Sequence, residues 1–330
     1  MINLKEHSLK SDLDSLSKNI SFSRSVDSLA EEDNLSFTKS VRVAVVASST
    51  INGLIESIKA DSAKCDLLIK PYLSEYNQFA QEIFNKDSAL YNFNPEIIFI
   101  HLDLRTLAGE IYLNPNDPSI NIKKWQEETF SLLKDLCSKC LSYSNSKIVL
   151  SNLEVPYISS LGILENNQQL GFRQSVLEIN SNLLEEFKRN KDVYIHDYEN
   201  FSGKFGKQHL MDEKMYYLGD MKIKLSLIPE LASSLSAFIK GLCVTPKKCL
   251  VLDLDNTLWG GVIGESGING IKLGPTPEGR SFVEFQQYIL SLYNRGVILA
   301  VNSKNNYEDA IEVIKTHPHM ILREEHFAAL

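Results

Sequence analysis

The segment KCLVLDLDNTLWGGVIGESG, Lys248 to Gly267, constrains the chain more than any other stretch. Its apolar run at 249–252 is short and rich in β-formers, which suits a buried parallel strand. Such a strand delivers Asp253 and Asp255 to its carboxyl end, with Thr257 one turn further on. Ligands in open α/β sheets bind outside that end. Side chains alternate along a strand, so two carboxylates one residue apart leave the tip on the same side. One can attack a phosphorus while the other handles protons. Their summed charge calls for a cation, and hard carboxylate oxygens suit Mg²⁺. Asp and Asn also cap ordinary turns. Here, however, the pair ends an apolar strand and leads into Asn-Thr and Leu-Trp-Gly-Gly, a context that points to phosphate chemistry.

Upstream, short apolar runs alternate with amphipathic stretches. Strands are expected at residues 41–47, 66–70, 97–102, 147–150 and 193–196, with helices at 51–60, 72–84, 125–141, 166–189 and 223–240. That alternation predicts a doubly wound parallel sheet of flavodoxin- or SGNH-like order. Gly241 and Thr245-Pro246 mark a boundary. Beyond it, strands are expected at 249–252, 297–302 and from 320–322, with helices at 279–295 and 307–315. The expected fold class is α/β: two Rossmann-like parallel-sheet domains, 41–240 and 245–330. Residues 1–40 are polar and Ser-rich, with Leu4, Leu9, Leu13 and Leu16 near helical spacing. They suit a surface helix docked on the next domain, or a partly disordered lead-in.

Composition narrows the function classes. A chain of 330 residues is long enough for two substantial cores. A formal charge of −8 argues against a nucleic-acid partner, which calls for a basic face. No apolar run approaches the ~18 residues that span a bilayer, and the start MINLKEHSLKSD lacks the apolar core of a signal peptide. A cytoplasmic protein with no membrane partner is expected. Of the five cysteines, Cys137 and Cys140 form a CxxC inside an expected helix. No second pair completes the four ligands of a zinc site, so both are read as buried or incidental thiols.

DLDNTLWGGVIGE, followed by PEGRSFVEFQ and VNSKNN, resembles the FkbH-like proteins of the haloacid dehalogenase (HAD) superfamily, subfamily IIIC. The resemblance is specific from about Val244 onward and weaker over 41–239. It implies a phosphoaspartyl mechanism with Asp253 as nucleophile and Asp255 as general acid/base. Thr257 would fix the loop, and Mg²⁺ would sit on Asp253 and the backbone carbonyl of Asp255. Ser303 matches the hydroxyl that binds the phosphoryl group, and Lys304 beside it offers a positive charge. The lysine and further acids of the family's later motifs lie beyond the segment matching LREEHFAAL. The chain is therefore read as a piece of a longer protein, or as a site completed by another chain, and turning over little by itself. FkbH-like proteins are associated with dephosphorylating 1,3-bisphosphoglycerate and delivering the glyceryl group to an acyl carrier protein. Asn302 stands where many relatives carry Cys, a departure that bears on the thioester step and leaves the phosphatase step untouched.

Gly260, Gly261 and the stretch to Glu265 are expected to form a flap hairpin with 268–273, since glycines permit sharp turns and close approach to a ligand. Trp259 either lines the pocket or packs. Glu265 would repel phosphate unless it met a substrate hydroxyl or an arginine. In the first domain, Ser48 or Ser49 and Asn152 occupy positions that an SGNH esterase would use. The remaining Asp-x-x-His should fall at Asp220-Met221-Lys222-Ile223, where Ile223 replaces the base, and His209 could substitute only by unusual geometry. Without a base the serine stays inactive. Two readings follow: a phosphatase acting on a phosphorylated small molecule, with an acyl carrier protein as partner, or a non-catalytic partner-binding module. A pathway in surface-polysaccharide synthesis also stays open.

Overall fold

In the computed structural model, which describes residues 15–31 and 37–330, strand β1 (Lys39–Ala47) feeds two cores at once. Val41, Val43 and Val45 point to one face of the sheet, and Ala44 and Val46 to the other. The strands β2 (Leu67–Leu73), β3 (Ile97–His101), β4 (Lys147–Ser151) and β5 (Val193–His196) complete a five-stranded parallel sheet of order β2-β1-β3-β4-β5. This is the flavodoxin-like order, and helices cover both faces. On one face lie the helices Ile122–Tyr143 and Phe172–Phe187, with Leu133, Leu136, Cys137 and Cys140 buried. That spacing is one helical stripe, so the CxxC is core; burial pushes the Cys140 thiol up to about 12. The helices Leu54–Ala63 and Ile228–Cys243 cover the other face through Leu54, Ile58, Leu231, Leu235 and Ile239. By length and composition Leu225–Cys243 could cross a membrane. Its buried stripe makes it a core helix here.

Leu16 opens a helix, Leu16–Glu31. Its Phe22 and Val26 pack on Ala60 and Ala63, and Asp27 pairs with Lys59. Leu4, Leu9 and Leu13 lie outside the described residues. The chain divides into two compact units between Val244 and Thr245. The second unit carries a three-stranded parallel sheet of β6 (Cys249–Leu252), β7 (Ile298–Val301) and β8 (Phe327–Ala329), in that order.

Four local expectations need correction. The helix expected at 72–84 begins only at Phe79, because Tyr72 and Leu73 pair with Ala44 and Val45 as strand residues. Asn77, at φ 53°, then interrupts any helix. The helix expected at 166–189 is a 3₁₀ turn, Gly162–Asn167, then Phe172–Phe187. Between them, a Cβ on Gly171 would come within 2.5 Å of Glu165 Oε1, so only glycine lets the loop close on that carboxylate. The third strand of the second sheet is β8, not 320–322. Met320 and Leu322 fill the core, while the N–H groups of Ile321 and Leu322 donate to Gln286 Oε1 at 2.9 and 3.1 Å. Finally, the flap is a single antiparallel bridge between Gly260 and Lys272, with a helical turn, Ile263–Ser266, inside it. Ile263, Ile271 and Leu273 are buried in the core, which ties the segment down.

Candidate functional site

Register assembles the site in the second unit. β6 and β7 pair Leu252 with Val301, and the ladder runs one step further because Asn302 N–H donates to the Leu252 carbonyl at 2.8 Å. Asp253 and Ser303 therefore leave neighbouring parallel strands at one carboxyl edge. Asp253 is exposed, and its Oδ1 accepts the Leu254 N–H at 2.7 Å. Among the described residues, no cation pairs with it.

Beyond Asp253 the chain coils tightly. The N–H groups of Thr257 and Leu258 both donate to the Leu254 carbonyl, at 3.1 and 2.8 Å. Asn256 takes the left-handed conformation at φ 56°, which asparagine tolerates better than most residues. Its Oδ1 accepts the Gly261 N–H at 2.9 Å. The half-buried Asp255 turns one oxygen inward, where Oδ1 accepts the Trp259 Nε1–H at 2.9 Å and the Ile263 N–H at 3.3 Å. Trp259 is 0% exposed, so it lines no pocket and instead orients this carboxylate from the core. Gly260 is forced by space: a Cβ there would sit 2.8 Å from the Phe282 ring.

Gln286, fully buried, donates to the Leu258 carbonyl at 2.7 Å and thus ties the loop to residues 321–322. It was invisible as a functional support in sequence, where it is one polar residue in an amphipathic helix.

The remaining candidates are less engaged. Ser303 Oγ accepts the Asn305 N–H at 3.4 Å. Lys304 and Glu265 are exposed, and among the described residues neither forms an ion pair. Thr257 is half-buried. A cavity of about 350 Å³ takes in Ser303, Asn302, Asn305, Tyr307 and Leu254, but neither Asp253 nor Asp255. Among the described residues, no group of three or more His, Cys, Asp or Glu could hold a metal ion. The loop does offer two hard carboxylates that no cation neutralises. Mg²⁺ is commonly held by one or two carboxylates, with water and substrate phosphate completing its shell. The donor set fits it.

At the carboxyl edge of the first sheet, Ser48 is fully buried and donates to Asp103 Oδ2 at 2.6 Å, not to a histidine. Asp103 also accepts from Thr106 N–H at 2.9 Å and pairs with Lys222 at 3.0 Å. Burial works against its charge, but Lys222 and the Ser48 and Thr106 groups outweigh that and hold the carboxyl below its ordinary value. Lys222 also meets Asp220 at 3.2 Å. Asn152 is spent on Asp197 and the Glu199 N–H, at 3.0 and 2.9 Å. Ser49 lines a separate shallow cavity with Tyr76. Ile223 is 2% exposed, a core residue. His209 is exposed, and its Nε2 meets the Gln208 amide at 2.9 Å. No histidine bonds either serine among the described residues.

Sequence reasoning missed a buried chain of hydrogen bonds beside this edge. Ser151 Oγ lies 3.0 Å from Nδ1 of both His101 and His196, and His196 Nε2 lies 3.0 Å from Ser234 Oγ. The proton positions follow from valence. Ser234 gives its proton to the Leu231 carbonyl at 2.8 Å, so it must accept from His196 Nε2–H. His196 Nδ1 is then an acceptor and takes the Ser151 proton, which leaves His101 Nδ1–H to donate to Ser151. Burial holds both rings neutral, lowering His101 to about 4 and His196 to about 3.

No curated protein matches this chain. Among solved structures, it is similar to the N-terminal part of the protein BF1531 from Bacteroides fragilis, described as containing a phosphatase domain complexed with Mg. That match has 25% identity, a TM-score of 0.81, and covers 96% of this chain and 80% of that one. The acetylxylan esterase Axe2 from Geobacillus stearothermophilus matches at 9% identity and TM-score 0.38, over 62% and 95% of the two chains. The α/β hydrolase LAE5 from the metagenome of Lake Arreo matches at 9% and 0.38, over 64% and 99%. Residues 42–240, more than half of the chain, match the family described as FkbH, N-terminal domain. With β2 to β5, most of β1 and most of both cores inside that span, the chain belongs to the FkbH N-terminal domain family.

Proposed function

We propose that the second unit is a Mg²⁺-dependent phosphatase of the HAD kind, working through a phosphoryl group on Asp253. The β6–β7 register carries this reading, because it sets an exposed, unpaired carboxylate beside the Ser303 hydroxyl at one sheet edge. Similarity over 96% of the chain to the Bacteroides fragilis protein with its phosphatase domain supports it.

Asp253 attacks phosphorus through the oxygen that Leu254 leaves free, and the bond from phosphorus to the leaving oxygen breaks. Asp255 gives that oxygen its proton, then takes one from a water that attacks the same phosphorus and frees Asp253. With Oδ1 held by Trp259 and Ile263, Asp255 keeps its second oxygen for the proton. Ser303 donates to a phosphoryl oxygen, Lys304 adds positive charge beside it, and Thr257 steadies the loop. Asp253 and the backbone carbonyl of Asp255 would hold Mg²⁺, which would supply positive charge to the phosphoryl oxygens. The substrate class is a phosphorylated three-carbon acid of the phosphoglycerate type, in the cytoplasm. Glyceryl delivery to an acyl carrier protein, the downstream step in the family, would here proceed with Asn302 in place of the cysteine. Family resemblance supports these last assignments.

The test is covalent. Incubation of the intact protein with acetyl phosphate and Mg²⁺ should place one acid-stable, hydroxylamine-labile phosphoryl group on the peptide containing Asp253, and BeF₃⁻ should block it. A label elsewhere, or no label, overturns the reading. Trp259→Phe should keep this labelling but slow turnover about tenfold, since the N–H that aims Asp255 is lost while the nucleophile is untouched. Single-turnover kinetics with p-nitrophenyl phosphate would show it, with dephosphorylation slowed more than phosphorylation. Equal slowing of both steps would remove Trp259 from this role.

A further inference from the structure

A cavity of about 330 Å³ lies at the carboxyl edge of the five-stranded sheet, where α/β folds place ligands. Its charged groups come from several elements: Asp103 and Arg105 after β3, Glu154 after β4, Arg173 in the first turn of Phe172–Phe187, and Lys207 and Lys222 further on. Leu104, Tyr112 and Phe172 supply apolar wall.

Most of these charges are already matched. Lys222 meets Asp103 at 3.0 Å and Asp220 at 3.2 Å. Lys207 pairs with Glu199 and donates to the Val155 carbonyl at 2.7 Å. Arg105 sits between the rings of Tyr112 and Tyr216, 4.5 and 4.8 Å from their centroids. Glu165 accepts the Ser159 hydroxyl at 2.7 Å and the Arg173 N–H at 3.0 Å, and Glu213 is exposed to water. Two groups are left over. The Nε of Arg173 is buried with no acceptor among the described residues. Among the described residues the carboxyl of Glu154 has no hydrogen-bond partner, and burial pushes it up to about 7, with Lys207 pulling it down and Asp103 and Glu199 pushing it further up.

A buried guanidinium N–H without a partner is costly, and its planar fork matches a carboxylate in two-point contact. Among the described residues two of the cavity's cations, Arg105 and Arg173, have no acid partner; Arg105 is engaged by its two tyrosine rings, which leaves Arg173 to meet an anion. That suits a monoanion. A dianion such as phosphate would face Asp103 and Glu165, while Arg105, the other cation without an acid partner among the described residues, is held between its two rings.

We propose that this cavity binds a small monocarboxylate, its carboxylate on Arg173, its body against Leu104, Tyr112 and Phe172, and a second polar atom on Glu154. The site is separate from the aspartate loop of the second unit in its residues and its chemistry.

Calorimetry on the 330-residue protein at pH 6.5, with hexanoate, hexanamide and inorganic phosphate as probes, tests this. Hexanoate should bind at least tenfold more tightly than either of the others. Arg173→Gln should weaken hexanoate binding at least tenfold. Arg173→Lys, which keeps the charge but loses the fork, should weaken it several-fold while leaving the unliganded melting temperature near that of the parent. Glu154→Gln should remove the proton uptake seen when binding heats are compared in two buffers. No hexanoate binding, phosphate binding more tightly than hexanoate, or full-strength hexanoate binding by both Arg173 variants would overturn the proposal.

Discussion

In the intact protein, Asp253→Asn should lower kcat for phosphate-ester hydrolysis by a factor on the order of 10⁴ or more, as removal of a covalent nucleophile does. The substitution is nearly isosteric. Asn Oδ1 can still accept the Leu254 N–H that Asp253 accepts at 2.7 Å, and the side chain is exposed. Stability should therefore change by no more than about 0.5 kcal/mol, the usual range for surface sites, so lost activity can be read as lost chemistry. Asp255→Asn makes a sharper comparison. It removes the proton carrier and keeps the nucleophile, so it should slow esters with poor leaving groups far more than p-nitrophenyl phosphate, and a phosphorylated protein should accumulate. Steady-state kinetics with both substrates, with unfolding curves beside them, separates the cases. An Asp253→Asn protein that retains its turnover would end the phosphoaspartate account.

The second large effect is in stability. His101 and His196 are neutral in the fold because burial lowers them to about 4 and about 3. In the unfolded chain both titrate near 6.5. Between those values the unfolded state binds protons that the folded state refuses, so stability is full above pH 6.5 and falls as pH falls toward 4. From pH 7.5 to pH 5 the loss comes to about 2 kcal/mol per ring. Glu154 works with the opposite sign, since its carboxyl is raised to about 7 and its folded form gains from protonation in the same window. In Glu154→Gln that opposing contribution is gone. Urea unfolding of this variant should show about 4 kcal/mol less stability at pH 5 than at pH 7.5. A flat profile, or an equal slope after His196→Asn is added, would mean that the pair does not carry the effect.

Strand positions were readable because each strand is an apolar run bounded by turn residues; in β1, β3 and β4 burial on both faces leaves little room for polar substitution, whereas β6, expected to be buried, leaves Cys249 and Val251 exposed. The expected β5 and β6 match the observed limits, Val193–His196 and Cys249–Leu252. What failed were places where one long-range contact overrules local pattern. Tyr72 and Leu73 look helical beside 76–84, but β1 was there to pair with them. Met320–Leu322 looks like a strand, but its N–H groups go to the Gln286 side chain rather than to β7.

The candidate site shows the same division. The emergence of Asp253 and Ser303 at one sheet edge was legible because each follows an apolar strand; their chemical roles belong to the proposal. The roles of Trp259 and Gln286 were not legible, since each depends on a hydrogen bond to a loop that sequence spacing does not locate. In the first unit the missing histidine was legible at Ile223. Lys222 stood in the same window, and its value became visible only with Asp103 folded against it.

The Ser48–Asp103 bond has a consequence for how this domain can change by mutation. A histidine introduced at 223 would displace a side chain that is 2% exposed, and would find the Ser48 proton already held by a carboxylate. Removing Asp103 first would leave Lys222 buried with one acidic partner fewer and Ser48 still without a base. Each step is harmful until the other is in place. Substitutions at 103 and 223 are thus epistatic, and stepwise drift from this domain to a serine hydrolase must pass through a less stable intermediate by either route.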